Sequence, residues 1–410
     1  MNKNNTRFSL VRLAIVALAI VVPFLSRAQG WPANYGGVML QGFYWDSYSD
    51  TKWTKLTSQA DELSQYFDII WVPNSGTPGG GATSMQMGYS PCYWLQHNTV
   101  FGTQAELKTM ISTFKSKGVT IMEDLVVNHK SGRTSWCDFP NETYGTYVIS
   151  WNNSTRAEIC STDECNRNGY KTTGAADTGD DFDGSRDLDH TNATVQNNIK
   201  TYINFLTTEL GYGGFRLDMS KGYSPSYAAS YVRHGAQQFN VGEYWDGDYN
   251  KVVNWINGTG KTCAAFDYPL KYRLNEAYGN GNWSALSDKG IAGDPNMSQW
   301  AVTFVDNHDT GQTNNSSNLG NNSNVLAANA FILAMPGTPC IFMGHWKAHK
   351  EEIGKMILAR KAAGITNTSK IVQQGEQDGG YVTVVQGTKG RVMVVSGYVP
   401  NLDDRGWTAV

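Results

Sequence analysis

Gly214-Phe215-Arg216-Leu217-Asp218-Met219-Ser220-Lys221-Gly222 sets an arginine and an aspartate two apart inside an apolar strand pattern. Residues two apart on a strand share a face, so the guanidinium and the carboxylate point the same way. Alone, such a pair reads as a structural ion pair at a sheet end. It has company. Asp124-Leu125-Val126-Val127-Asn128-His129, Val241-Gly242-Glu243-Tyr244-Trp245 and Phe304-Val305-Asp306-Asn307-His308-Asp309 each run from an apolar strand into carboxylates or histidine. Four strands with acids at their carboxyl ends point to one shared site.

Working outward, short apolar runs alternate with helical patterns along most of the chain. Strand-like runs fall at 37–45, 67–73, 119–127, 214–218, 239–244, 264–268, 301–305 and 338–343. The helix before the third run is clearly signalled: Thr103 and Glu106 form a capping box, Leu107, Met110, Ile111 and Phe114 recur at helical spacing, and Gly118 closes it. Ser224-Pro225 opens another, because proline suits a first helical turn. Eight βα units predict an α/β fold, a closed parallel (β/α)8 TIM barrel whose active site lies at the carboxyl ends of the strands. The acids stand where that rule wants them.

The alternation breaks at 130–190, a polar stretch rich in Gly, Asn, Thr and Asp, which predicts a loop-rich insertion after the third strand. Near the end, period-two runs at 381–385 and 391–395 flank a Gly-Thr-Lys-Gly turn and predict a small C-terminal antiparallel β domain. Trp407-Thr408-Ala409-Val410 reads as a strand interrupted mid-pattern, as in a truncated version of a longer protein. The expected boundaries are a leader at 1–28, barrel at 29–129 and 191–366, insertion at 130–190 and β domain at 367–410. A glycine-rich loop at 78–81 lacks the Gly-Lys-Ser/Thr ending of a phosphate cradle, so its glycines supply flexibility.

In the leader, Lys3, Arg7 and Arg12 precede an apolar run at 13–25, and Ser26-Arg27-Ala28 offers small residues for cleavage. This predicts export to a secreted or periplasmic location, with an uncleaved anchor as the alternative. Residues 1–28 carry four positive charges and no acid, so their removal takes the formal charge from -3 to -7. A mildly acidic mature chain argues against nucleic acid as a partner. No later apolar run is long enough to span a membrane, so no membrane association is expected after cleavage. At 40% hydrophobic and 17% charged residues, the 410-residue chain has the composition of a soluble globular protein, expected as a monomer. Of six cysteines, Cys160 and Cys165 lie close together in a polar loop and are the expected disulfide; Cys340, inside an apolar strand, reads as a buried thiol. Neither CxxC nor Cys/His spacing suits zinc.

A barrel would bring Asp218, Glu243 and Asp309 around one pocket. Glycoside hydrolysis needs two carboxyl groups in different environments, one to attack or activate water and one protonated to donate to the leaving oxygen. Arg216 is expected to keep Asp218 ionised, and Glu243, flanked by Tyr244 and Trp245, to have the raised pKa. Loop aromatics such as Tyr89, Trp94 and Trp245 could stack on sugar rings, although core packing is the commoner use of such residues. Asp177, Asp180, Asp181, Asp183, Asp187 and Asp189 crowd one short stretch. Such a run is either a solvated loop or a set of oxygen ligands for Ca2+, and its spacing is not that of an EF-hand.

The four strand-end motifs resemble, in order, the sequence blocks of the alpha-amylase family of glycoside hydrolases. Gly88-Tyr89-Ser90-Pro91, Phe101-Gly102-Thr103 and Pro336-Gly337-Thr338-Pro339-Cys340-Ile341-Phe342 are similar to stretches of the plant-type and related bacterial members. The resemblance covers roughly 37–365. It implies a retaining mechanism with Asp218 as nucleophile, Glu243 as general acid/base and Asp309 as stabiliser of the transition state. It also implies sugar contacts from His129, His308 and Tyr89, with Lys221 and Trp245 as further substrate-binding residues. Arg216 would orient the nucleophile, with Asp124 as its partner. A structural Ca2+ would be held by Asn128, Asp177, the Asp180 carbonyl, Asp187 and the Gly222 carbonyl. Cys92-Tyr93-Trp94-Leu95-Gln96-His97 departs from the usual sequence after the tyrosine, which bears on the substrate subsites.

The function expected is that of a secreted, endo-acting alpha-1,4-glucan hydrolase acting on starch, glycogen and maltooligosaccharides. A glucanotransferase or an exo-acting glucosidase would use the same three acids. A silent glucan-binding protein could keep the barrel but has no need of all three.

Overall fold

The computed structural model describes residues 30–312, 315, 318, 319 and 323–410, so the expected leader at 1–28 lies outside the described residues. Eight parallel strands close a barrel: Met39–Gln41, Ile69–Val72, Thr120–Leu125, Gly214–Leu217, Phe239–Gly242, Ala264–Phe266, Ala301–Phe304 and Thr338–Phe342. They neighbour one another in chain order, and closure comes from Met39 pairing with Cys340. Nearly every strand residue is buried, because helices cover the outer face and side chains fill the lumen. That is why these strands read as apolar runs rather than as alternating patterns.

The helix Gln104–Ser116 begins with the expected capping box. The Thr103 hydroxyl accepts from the Glu106 N–H at 3.3 Å, and the Glu106 carboxylate accepts from the Thr103 N–H at 2.7 Å. Leu107, Met110, Ile111 and Phe114 form its buried face. Helix Pro225–Gly235 starts with Ser224 as cap and proline in the first turn. Gly118, Gly211 and Gly364 end helices with positive φ, the left-handed conformation in which a side chain is strained.

The insertion leaves after the third strand and carries two small antiparallel pairs. One joins His129–Lys130 to Arg186–Asp187, the other Glu142–Tyr144 to Tyr147–Ile149. Lys130 pins it to the barrel. Its ammonium is buried 4.7 Å from the Trp94 ring centroid and 5.8 Å from that of Trp151, with Glu142 at 4.0 Å. Trp94 is fully buried and stacks on Tyr202, so the structure corrects the reading of Trp94 as a sugar platform.

The disulfide also differs from expectation, joining Cys137 to Cys165 and leaving Cys160 a buried thiol. Asp163 caps a one-turn helix, Glu164–Arg167, which starts after Cys160 and contains Cys165. Cys160 is held against the ribbon by its N–H to the Asp187 carbonyl, while Cys165 rides on the helix. Cys340 is buried as read.

The C-terminal sheet has three strands, Lys370–Gln377, Gly380–Gln386 and Arg391–Ser396, one more than the sequence suggested. The extra strand is largely exposed and interrupted by a bulge between Ile371 and Gln373, so it lacks the alternation that marks its neighbours. Residues 407–410, expected as a strand, form none; Trp407 packs on Val382, Val384 and Val399. Arg360 ties the last barrel helix inward, donating to the carbonyls of Leu333, Met335 and Gly337. Among the described residues no helix is long and apolar enough to cross a membrane.

Candidate active site

The carboxyl ends of the strands carry every residue of the site. Asp218 follows the fourth strand, Glu243 the fifth and Asp309 the seventh, while Tyr89 and His129 come from loops after the second and third. Together with Trp45, Phe182, Met219, Trp245, His308, Gln312 and Asn315 they line a cleft of about 550 Å³.

Beneath the cleft lies Arg216, 1% exposed, and it touches three carboxyl groups at once. Its Nη1 is 2.6 Å from both Asp124 Oδ1 and Asp218 Oδ1, and its Nη2 is 2.6 Å from Glu243 Oε1. Asp124 sits opposite Arg216 in the strand register, and its other oxygen accepts from Trp71 Nε1 at 3.1 Å and from the Tyr89 hydroxyl at 2.8 Å. The two-residue spacing thus points guanidinium and nucleophile candidate into one space, as the strand geometry requires.

One guanidinium cannot neutralise three buried acids, so protons stay on the cluster well above the ordinary carboxylate range. Burial pushes Glu243 up to about 7, with Asp218 adding to the rise and Arg216 opposing it. Asp309 and Asp124 are each pushed up to about 7 by burial, Asp309 also by Glu243. Burial raises Asp218 too, against Arg216. Arg216 favours the ionised form of Asp218, as expected, but its charge is shared with Asp124 and Glu243.

Glu243 is fixed at both oxygens. Oε2 accepts the Met219 N–H at 2.9 Å, and Met219 adopts φ 41°, a left-handed conformation costly for a side chain with a β-carbon. The strain aims that N–H at the acid.

Both histidines are buried, neutral and oriented. Gln41 donates its amide to His308 Nδ1 at 2.9 Å, leaving Nε2 3.3 Å from Asp309 Oδ2. His129 Nε2 donates to the Tyr89 carbonyl at 2.9 Å and lies 3.9 Å from Asp218 Oδ2. Burial pushes His129 down to about 4 and holds His308 well below its ordinary range.

Three flat rings form one side of the cleft. Tyr89 lies 5.0 Å from His308 at 10°, and Trp45 lies 6.1 Å from Tyr89 at 1°. Trp45, 39% exposed, was not singled out in the sequence, yet it closes the first strand-like run at the carboxyl end, where the acids were sought. Trp245 stacks on Tyr268 at 5.2 Å and donates to the Tyr272 hydroxyl at 2.8 Å. Lys221, expected as a substrate contact, is not in the cleft lining. Its ammonium is 3.4 Å from both Asp180 and Asp246 and 3.3 Å from the Trp245 carbonyl, bridging the insertion to the loop after the fifth strand.

Beside the cleft, the carboxylates of Asp177, Asp181 and Asp187 offer oxygens within 4.8 Å of one another. Asp187 is fully buried; burial, together with Asp177, Asp163 and Asp181, pushes it up to about 9. Asn128 donates to Asp187 Oδ1 at 3.1 Å, and Gly222 packs so closely on Asn128 that a β-carbon would fall 2.1 Å from its Oδ1. The Asp180 N–H donates to the Lys221 carbonyl at 2.9 Å. The residues expected around a cation therefore gather, with Asp181 as an added carboxylate that the sequence reading left in the loop. This all-oxygen donor set, dense in negative charge and partly buried, suits Ca2+.

Residues 67–380 match the family described as "Alpha amylase, catalytic domain". The chain is 29% identical over 357 residues to "Probable alpha-amylase 2" of Arabidopsis thaliana, covering 82% of each. It is 27% identical over 434 residues to "Glucan 1,4-alpha-maltotetraohydrolase" of Stutzerimonas stutzeri, covering 94% of this chain and 74% of that one. In structure it is similar to an alpha-amylase of Geobacillus thermoleovorans crystallised with acarbose, with a TM-score of 0.64 at 16% identity, covering 87% of this chain and 86% of that one.

Proposed function

The chain belongs to the alpha-amylase family of glycoside hydrolases, and from that premise we propose that it is an exported, endo-acting hydrolase of alpha-1,4-glucans. The observation that carries this reading is the single Arg216 guanidinium joining Asp218 and Glu243 at the floor of a cleft that Asp309 also lines.

In the first step Glu243, protonated because it is buried, gives its proton to the glycosidic oxygen while Asp218 attacks the anomeric carbon. The carbon–oxygen bond breaks, the shortened glucan leaves as an alcohol, and a glycosyl ester remains on Asp218. Glu243, now a carboxylate, takes a proton from water as that water attacks the same carbon, and the ester bond breaks. Two inversions retain the anomeric configuration. Asp309 faces the positive charge that develops on the sugar ring, with His308 Nε2 setting its carboxyl. Trp45 and Tyr89 supply flat apolar faces for pyranose rings.

Ca2+ is the proposed ion for the acidic cluster, held by Asp177, Asp181 and Asp187 with Asn128 and the carbonyls of Asp180 and Gly222. Bound there, it would supply positive charge that offsets the crowded carboxylates and fastens the insertion beside His129. The leader pattern and the Cys137–Cys165 disulfide support action outside the cytoplasm, and the chain is proposed to work as a monomer.

The test incubates the full protein with soluble starch and with a blocked maltoheptaoside, following viscosity, reducing ends and product lengths. Rapid viscosity loss with mixed maltooligosaccharides is the expected result. Maltotetraose or glucose alone would replace endo action with exo action, and longer products would indicate transfer. No reaction with any alpha-glucan would end the proposal.

A further inference from the structure

A buried charge cluster stands directly behind the turn that presents Asp309, outside the cleft lining. Asp306, fully buried, follows the seventh strand. Its Oδ1 accepts from Lys271 Nζ at 2.7 Å, and Lys271 sits on the helix Tyr268–Leu274 after the sixth strand. Its Oδ2 lies 3.3 Å from Nε2 of His345, on the helix Met343–Ala348 after the eighth strand, in contact without the alignment of a hydrogen bond. Asn329 donates to His345 Nδ1 at 3.2 Å, which leaves the proton on Nε2, facing Asp306. Lys271 also donates to Asn275 at 2.8 Å.

From Asp306 the hydrogen bonds run forward to the acid. The Thr310 hydroxyl donates to Asp306 Oδ1 at 3.3 Å and accepts from the Asn307 N–H at 3.0 Å. The Asn307 side-chain oxygen accepts from the N–H groups of Asp309 at 2.9 Å and Thr310 at 2.8 Å. Through Thr310 the turn thus leads back to one carboxylate held from two neighbouring barrel elements, while the Asn307 amide also donates to the Tyr268 hydroxyl at 3.4 Å.

We propose that Lys271 and His345 are positioning residues that set the Asp309 carboxyl for catalysis by clamping Asp306. Stability alone gives a weak account of the cluster, because a buried ammonium–carboxylate pair is commonly no better than apolar residues of the same volume. Burial works against the charge on Lys271, and Asp306 is what favours it. What the cluster does supply is a fixed direction for the turn, and catalytic groups lose about 10²-fold in rate on a displacement near 1 Å.

The proposal rests on the role of Asp309 given above, and the experiment separates the two. Full-length wild type, Lys271→Met, Lys271→Arg and His345→Gln are assayed on blocked maltoheptaoside, with circular dichroism and thermal midpoints recorded. A wild type inert on alpha-glucans fails the proposed function before any variant is compared. With an active wild type, folded Lys271→Met is expected to lose about 10²-fold in kcat at a KM within about twofold of wild type, and Lys271→Arg to recover part of the loss. The same substitution in an Asp309→Asn background is expected to add little further loss, since both act through one carboxyl. Undiminished kcat in folded Lys271→Met, or a full additional loss in the Asp309→Asn background, overturns the proposal. Should Lys271→Met fail to fold, His345→Gln decides: a kcat loss at constant KM supports the clamp, and wild-type kcat removes it.

Discussion

Arg216 is the residue on which the chemistry turns, because one cation is divided among Asp124, Asp218 and Glu243. Its spacing from Asp218 was legible in the sequence, since strand geometry makes residues two apart share a face. Of its other partners, both from separate strands, Asp124 was implied by the resemblance, whereas the contact with Glu243 emerges only from the barrel. Burial pushes Glu243 up to about 7, with Arg216 opposing the rise and Asp218 adding to it, and the sign of its effect follows. A proton donor works only while protonated, so kcat/KM should fall as pH rises through about 7, and fall again in acid as Asp218 takes up a proton. A plot of log kcat/KM against pH checks this, and a flat profile from 6 to 9 would count against Glu243 as the acid. Stability has the same direction: a carboxyl whose folded pKa is raised stabilises most below its unfolded value and loses that contribution as pH rises through the folded one. The thermal midpoint of the ligand-free protein should therefore decline between about pH 5 and pH 8, as Glu243, Asp124 and Asp309 ionise around one guanidinium. Glu243→Gln should lower kcat by about 10²–10⁴-fold while leaving the protein folded, and full turnover in that variant would overturn the assignment.

Among the elements, the barrel strands were readable because burial on both faces turns them into short apolar runs ending in polar residues. The helix Gln104–Ser116 was readable for a different reason: its start is written in two residues. Thr103→Ala removes a hydroxyl that caps the Glu106 N–H, and should cost about 1 kcal/mol in urea denaturation with kcat and KM unchanged. An unchanged midpoint would show that tertiary packing holds the helix without its cap. Elements whose partners lie outside the local pattern were not readable. Lys370–Gln377 is exposed and polar, and becomes a strand only because Gly380–Gln386 offers it a ladder. Cysteine spacing likewise gave no pairing, since Cys137 reaches Cys165 across a folded loop while Cys160, closer in sequence, is held elsewhere. Trp45 belongs with these: a strand-end aromatic stands out as part of the cleft wall only once Tyr89 is found parallel to it.

Across the whole molecule, the insertion makes one wall of the cleft, and its attachment bears on both stability and catalysis. Lys130 among aromatic rings and the ribbon His129–Lys130 with Arg186–Asp187 fix one edge. Near the other edge lie Asp177, Asp181 and Asp187, whose charges repel one another unless protonated or offset by a cation. A cation that binds only the folded state stabilises it by about 2.7 kcal/mol at 100 times its Kd. Adding a chelator should therefore lower the thermal midpoint and the starch-hydrolysing rate together, and Ca2+ should restore both where Na+ at equal ionic strength does not. Asp181→Asn separates this from a general salt effect, because it removes one repelling charge and one ligand oxygen at once. In chelator the variant should be as stable as wild type or more so, whereas in saturating Ca2+ it should be less stable, so that its calcium-induced shift in midpoint shrinks. A variant that tracks wild type under both conditions would place the ion elsewhere. A wild type indifferent to chelator would leave the acidic cluster as a partly protonated hydrogen-bonding site, consistent with the value near 9 at Asp187.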